Sequence, residues 1–192
     1  PPRSTQGVSS AASDVYKRQR HVEAQDDMIE KALELCGADG VAARCRRDGR
    51  RLRVLDVGCG VGGSSRYIAR KYGADVVGLT LSPKQAARGN ELSQGLNVTL
   101  KAEDATSTAF ADGSFDLVWS LESGEHMPDK PRFVEELARL CAPGGAVSCV
   151  ARGVFAVDAR RRRRHVRCPR RSPGATATSS PISGWAASSE RS

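Results

Sequence analysis

An apolar run, Arg51 to Val57, stops at Gly58-Cys59-Gly60-Val61-Gly62-Gly63, and Ser64 to Tyr72 continues in a helical pattern closed by Gly73. The run begins charged and turns apolar, as a strand does when it enters a buried parallel sheet from the surface. The glycines interrupt it and let the backbone turn tightly into the helix. A strand, a glycine turn and a helix in that order are the first part of a βαβ unit. Such a unit lays its second strand parallel to the first through a right-handed crossover.

The rest of the chain supplies the partners this unit needs. Asp75 to Thr80 is a second short apolar strand, and Ser82-Pro83-Lys84-Gln85 opens the next helix. Ser82 suits the N-cap, Pro83 the first helical position, and Gln85 can reach back to the cap amide to complete a capping box. Val98 to Ala102, Phe115 to Ser120 and Ala146 to Ala151 read as three further strands. A helix from about Asp129 to Cys141 lies between the last two, with Phe133, Val134, Leu137, Ala138 and Cys141 on its apolar side. Upstream, Val22, Met28, Ile29, Ala32, Leu33 and Cys36 recur at helical spacing from His21 to Cys36, and Gly37 suits the residue after a helix. Strands that alternate with helices predict an α/β fold, a doubly wound and mostly parallel sheet with helices on both faces.

The two ends read differently. Residues 1–18 are rich in Pro, Ser, Ala and Gly without period, and Ser10 to Gln19 resembles a translated sequencing adaptor, so this stretch is expected to be disordered or artefactual. Residues 19–50 are assigned to an N-terminal helix and linker, and 51–152 to the ligand-binding domain. Residues 153–192 are assigned to an Arg/Ser/Pro-rich tail in which the sixth and seventh strands of a complete sheet cannot be read. The formal charge of +8 is concentrated in arginine-rich segments: Arg160 to Arg164, Arg167, Arg170 and Arg171 account for eight positive charges. The domain itself is then nearly neutral, and nucleic-acid binding is not expected of it. The six cysteines include no Cys-x-x-Cys pair, so free thiols and no metal are expected. No apolar stretch approaches the roughly 18 residues of a membrane span, and the chain reads as soluble.

The candidate chemistry clusters at strand ends. Gly58, Gly60 and Gly63 satisfy G-x-G-x-x-G, a weak pattern alone, where a ligand can approach the backbone at a helix N-terminus. Asp56 precedes the first glycine by two residues, where a carboxylate would repel a pyrophosphate and attract a cationic ligand. The alternative is that it only caps the turn. The second strand ends at Thr80, where an acidic residue for ribose hydroxyls would be usual in nicotinamide-binding folds. Thr80, Leu81 and Gln85 can still offer hydroxyl, backbone and amide contacts. Glu103-Asp104-Ala105 follows the third strand, where a carboxylate can accept from an adenine amino group; a solvated acidic turn is the alternative.

In order, Val-Leu-Asp-Val-Gly-Cys-Gly-Val-Gly-Gly-Ser-Ser, Val-Val-Gly-Leu-Thr-Leu-Ser-Pro, Ala-Glu-Asp-Ala, Phe-Asp-Leu-Val-Trp-Ser and Ala-Pro-Gly-Gly resemble the successive motifs of the Rossmann-like class I methyltransferases. Gly62 to Gly73, Trp119 to Lys130 and the helix from His21 to Leu35 resemble, more narrowly, the plant and algal tocopherol O-methyltransferases. The resemblance spans about residues 21 to 148 and leaves out the family's acceptor-binding segments. It implies S-adenosylmethionine as cofactor, bound by Asp56, Gly58, Cys59, Gly60, Thr80, Leu81, Gln85, Asp104, Ala105 and Leu121. It also implies methyl transfer to a small lipophilic acceptor such as a chromanol hydroxyl. Glu122, Glu125 and His126 follow the fourth strand at the acceptor rim. His126 is the expected proton acceptor near neutral pH, with Glu125 or Glu122 orienting it or lining the cofactor site.

Three other readings remain open in the sequence. One is a relative acting on a sterol, a small amine or an unsaturated lipid, as cyclopropane synthases do. Another is a non-catalytic S-adenosylmethionine-binding protein, and the third a nicotinamide-dependent oxidoreductase. The compartment follows the acceptor: plastid if the tocopherol resemblance holds, otherwise cytoplasm.

Overall fold

The computed structural model describes residues 22–151 and 153–157. The expectations for residues 1–18 and for the arginine-rich tail beyond Val157 lie outside them. A first helix, α1, covers 22–36, and Gly37 turns the chain in the left-handed region (φ 72°). A second helix, α2 (Ala38–Arg47), starts at once where the sequence reading placed a linker. The missed signal is Ala38, Val41, Ala42 and Cys45, an i, i+3, i+4, i+7 stripe that is entirely buried.

Six strands follow: β1 (Arg53–Val57), β2 (Asp75–Thr80), β3 (Val98–Ala102), β4 (Phe115–Leu121), β5 (Cys141–Ala151) and β6 (Gly153–Val157). Between them lie α3 (Gly63–Tyr72), α4 (Pro83–Leu92), a short 3-10 turn (Gly124–His126) and α5 (Lys130–Leu140). The strand order is β3-β2-β1-β4-β5-β6. β1 to β5 pair in parallel and β6 pairs antiparallel with β5. The order reverses between β1 and β4, which opens a crevice at their C-terminal ends.

Two helix caps show how sequence and structure differ in detail. Asp129 caps α5 by accepting from the Arg132 amide. Ser82 caps α4 by accepting from the Gln85 amide, as expected. The reciprocal half of the capping box is not made, because the Gln85 side-chain oxygen instead accepts from the Thr80 hydroxyl at 2.7 Å. The last strand is a larger correction. Residues 153–157, assigned to the tail, form β6, with Ala151 opposite Gly153 and Val147 opposite Val157. Gly-Val-Phe-Ala-Val is rich in β-prone residues, and pairing it satisfies a β5 edge that would otherwise stay open.

The sheet is packed on both faces. Val54, Val76, Leu100, Leu117 and Trp119 face α1 to α4, meeting Leu33, Val41, Ile68 and Ala86. Leu55, Val57, Leu79, Val118 and Val147 face α5, meeting Phe133, Leu137 and Leu140. A buried carboxylate pins the other end of the sheet: Asp116 accepts from the Arg53 amide at 3.0 Å and from the Arg50 guanidinium at 2.7 Å. Burial alone would raise its carboxyl, but these partners outweigh burial and hold it below the ordinary aspartate value. No helix among the described residues is long and apolar enough to cross a membrane.

Candidate functional site

The C-terminal ends of β1 to β4 bring the glycine turn, the Thr80–Ser82 turn, the Glu103–Ala105 turn and the Leu121–Glu125 turn to one crevice. Pairing fixes their heights: Val57 lies opposite Leu79 and Ser120, and Thr80 opposite Ala102. A surface depression of about 430 Å³ is at the opposite end. It is lined by Arg53, Asp75, Asn97, Thr99 and Phe115, near the starts of the strands, away from every expected site residue.

The glycines divide into two roles. Gly58 (φ 75°) leaves room for a neighbour within the protein, since a Cβ there would stand 2.2 Å from the Ser123 Cβ. Its amide and that of Cys59 both donate to the Leu79 carbonyl at 2.9 Å, locking the turn onto β2. Gly60 (φ 57°) is different, because nothing lies within 4 Å of where its Cβ would be. It leaves an open cradle of backbone at the mouth of the crevice, where a nucleoside could sit against the main chain. Gly62, also left-handed, precedes α3, so that the helix N-terminus opens beside this cradle.

Asp56 stands where the sequence put it but is occupied. It is 1% exposed, and its Oδ2 accepts from the Ser64 and Ser65 hydroxyls at 2.7 and 2.6 Å, tying β1 to the first turn of α3. Burial pushes its carboxyl above the ordinary aspartate range, while the two hydroxyls and the Ser65 amide pull it back. These bonds give Asp56 a turn-capping role in the fold. Cys59 packs its sulfur against Gly78, and burial pushes its thiol up to about 12, so it contributes shape and no nucleophile.

At the second strand, Thr80 is buried with its hydroxyl bound to Gln85, and Leu81 is 77% exposed. Past β3, the Glu103 amide donates to the Thr80 carbonyl at 3.0 Å, bringing the two turns together. Asp104 is exposed and accepts from the Thr106 amide and hydroxyl, both at 2.8 Å, which hold its carboxyl below the ordinary value. Ala105 is buried behind it.

The fourth turn follows β4 and leads into the 3-10 turn. Leu121 is half-buried at the end of β4, and the Ser123 hydroxyl bridges β4 to β1 by donating to the Val57 carbonyl at 3.0 Å beside Ser120. Glu125 and His126 follow in the 3-10 turn, their Oε1 and Nε2 3.6 Å apart, with the His126 side chain 77% exposed. Sequence reasoning missed Ser64, Ser65, Ser120 and Ser123. Their signal was only relational: a serine pair eight and nine residues after Asp56, and a glycine that must make room for something.

These residues fit S-adenosylmethionine. The cradle at Gly60 has the space, α3 presents its N-terminus there, and the Thr80–Ser82 and Asp104–Thr106 turns carry polar groups at the crevice. Comparisons with known proteins agree. The methyltransferase domain family matches residues 55–149. Over 134 residues the chain is 50% identical to the chloroplastic tocopherol O-methyltransferase of Arabidopsis thaliana, covering 68% of this chain and 37% of that protein. Over 94 residues it is 55% identical to a 2-methyl-6-phytyl-1,4-hydroquinone methyltransferase of Synechocystis sp., covering 48% of this chain and 29% of that one. The chain thus spans about a third of the length of these relatives. A geranyl diphosphate C-methyltransferase of Streptomyces coelicolor A3(2), solved with S-adenosyl-L-homocysteine, aligns with TM-score 0.53 and 25% identity, over 66% of this chain and 43% of that one. On this similarity, and with a parallel sheet that reverses its order beside a glycine turn, the chain belongs to the Rossmann-like, class I S-adenosylmethionine-dependent methyltransferases.

Proposed function

We propose that the crevice binds S-adenosylmethionine and that the protein transfers its methyl group to the hydroxyl of a small lipophilic phenol, such as a chromanol. The observation carrying this reading is the convergence of the open Gly60 cradle with the Leu121–His126 turn at the β1/β4 reversal. Similarity to methyltransferases named for a tocopherol and a phytyl hydroquinone supports the phenolic acceptor. The chloroplastic location in the first relative's name supports a plastid.

When bound, the cofactor supplies an electrophilic methyl group on a sulfonium. The chain's own residues hold and orient. The Gly58–Gly62 turn receives the cofactor backbone-on, with Cys59 shaping the turn from below. Thr80, Leu81 and Gln85 take the ribose side and Asp104 and Ala105 the base, while Leu121 walls the crevice at the end of β4. His126, turned to solvent beside Glu125, accepts the phenolic proton as the oxygen attacks, and Glu125 orients the imidazole. Alignment of oxygen, methyl carbon and sulfur supplies much of the rate in a displacement of this kind.

The test is isotope-labelled methyl transfer to γ-tocopherol with the full-length protein. His126→Asn is expected to lower turnover by about 10²-fold while S-adenosylmethionine affinity stays unchanged. Unaltered turnover would remove His126 from the chemistry, and no transfer to any phenol by the parent protein would remove the acceptor class.

A further inference from the structure

Glu122 is the single non-glycine among the described residues with a positive φ, 55°. A glutamate there is strained, because its Cβ crowds the backbone in a region that glycine or asparagine occupies at lower energy. The strain is imposed from both sides. The Glu122 amide donates to the Val150 carbonyl on β5 at 2.6 Å, and the next residue, Ser123, is fixed under Gly58 by its hydroxyl bond to the Val57 carbonyl. Glu122 is exposed, stands two residues beyond the Ser120–Val57 pair, and directly precedes Ser123, the residue that Gly58 makes room for.

Among the described residues of the turn after β4, Glu122 is the exposed carboxylate, and Glu125 is half-buried. Asp56, the residue the sequence assigned to a cationic ligand, is enclosed and bound to two serines. Asp104 belongs to a separate turn beyond β3 and is engaged by Thr106. S-Adenosylmethionine carries two positive charges, a sulfonium and an α-ammonium, both on its amino-acid end. Resting on the cofactor assignment above, we propose that Glu122, and not Asp56, supplies the carboxylate that recognises the cationic amino-acid end of the cofactor. The left-handed backbone is retained because it brings that carboxylate to the edge of the glycine turn.

The two halves of this statement separate experimentally. Glu122→Gln and Glu122→Ala remove the charge and keep a strained backbone; Glu122→Gly and Glu122→Asn remove the charge and relieve the strain. Affinities for S-adenosylmethionine and for 5′-methylthioadenosine, which shares the nucleoside but carries neither cation, are measured by calorimetry on the 192-residue chain. All four variants are expected to bind S-adenosylmethionine about tenfold more weakly and 5′-methylthioadenosine as the parent does. The glycine and asparagine variants are also expected to melt about 2–4 °C higher than the alanine variant. Undiminished S-adenosylmethionine affinity in Glu122→Gln, or an equal loss on both ligands, would overturn the assignment while leaving the cofactor site intact. Failure of the unmodified chain to bind either ligand would instead overturn the cofactor site, and this assignment with it.

Discussion

Two glycines in one turn are predicted to fail in different ways when substituted. Gly58→Ala places a methyl group 2.2 Å from the Ser123 Cβ at a left-handed backbone, and the collision is with the protein itself. Overpacking with backbone strain is expected to cost on the order of 2–4 kcal/mol of stability, read as a lower urea midpoint. Gly60→Val meets no protein atom within 4 Å but fills the cradle. It is expected to cost on the order of 1–3 kcal/mol in S-adenosylmethionine binding, with a smaller stability loss from its φ of 57°. An affinity loss for the first without a stability loss, or the reverse for the second, would exchange the two roles. The glycine pattern was legible in the sequence because spacing alone exposes it. The division of labour was not, since the partner of Gly58 lies 65 positions away at Ser123 and no local rule connects them. The bonds of Asp56 were hidden for the same reason: its proximity to the turn was visible, but the two serine hydroxyls that enclose it depend on how α3 docks.

Elements with strong periodicity could be read from the chain, and those set by competition between partners could not. β2 and β3 have the boundaries read from their apolar runs. α2 was missed because four arginines, Arg44, Arg46, Arg47 and Arg50, obscured a short buried stripe. β6 was missed because an arginine run follows it closely. The segment between β3 and β4 gives no pattern at all, and its position depends on α5. Glu136 accepts from the Thr108 amide and hydroxyl at 3.0 and 2.8 Å, while Arg139 donates to Glu136, to Asp112 and to the Phe110 carbonyl. The Arg139 guanidinium, followed by the Thr108 donors, outweighs burial and holds the Glu136 carboxyl down to about 2 from 4.5. A carboxyl depressed on folding stabilises above its unfolded value and loses that contribution as pH falls through its folded value. The contribution is thus present above about pH 4.5 and lost towards about pH 2. Allowing for the partly exposed Arg139, Glu136→Gln is expected to cost on the order of 1–3 kcal/mol at pH 7 and to flatten stability between pH 5 and about 2. Chemical denaturation across that range is the check; parallel curves for the two proteins would show that the ion pair does not anchor the segment.

At the scale of the whole molecule, function follows from a topological fact. A parallel sheet whose order reverses between β1 and β4 sends four connecting turns to one end, and the site consists of what those turns carry. The opposite end has a depression of its own and an ion-paired cluster, Asp116 with Arg50 and Arg53, that holds the sheet together. The central claim is that S-adenosylmethionine binds at the first end. Titration of the ¹⁵N-labelled chain with S-adenosylmethionine, followed by amide chemical shifts, tests it most directly. The account predicts saturable shifts at Gly58, Cys59, Gly60, Leu81, Asp104, Ala105, Leu121 and Glu122, with Arg53, Asp75 and Asn97 unmoved. Shifts gathered around Arg53, Asp75 and Asn97 with the glycine turn silent, or no saturable shifts anywhere, would contradict it.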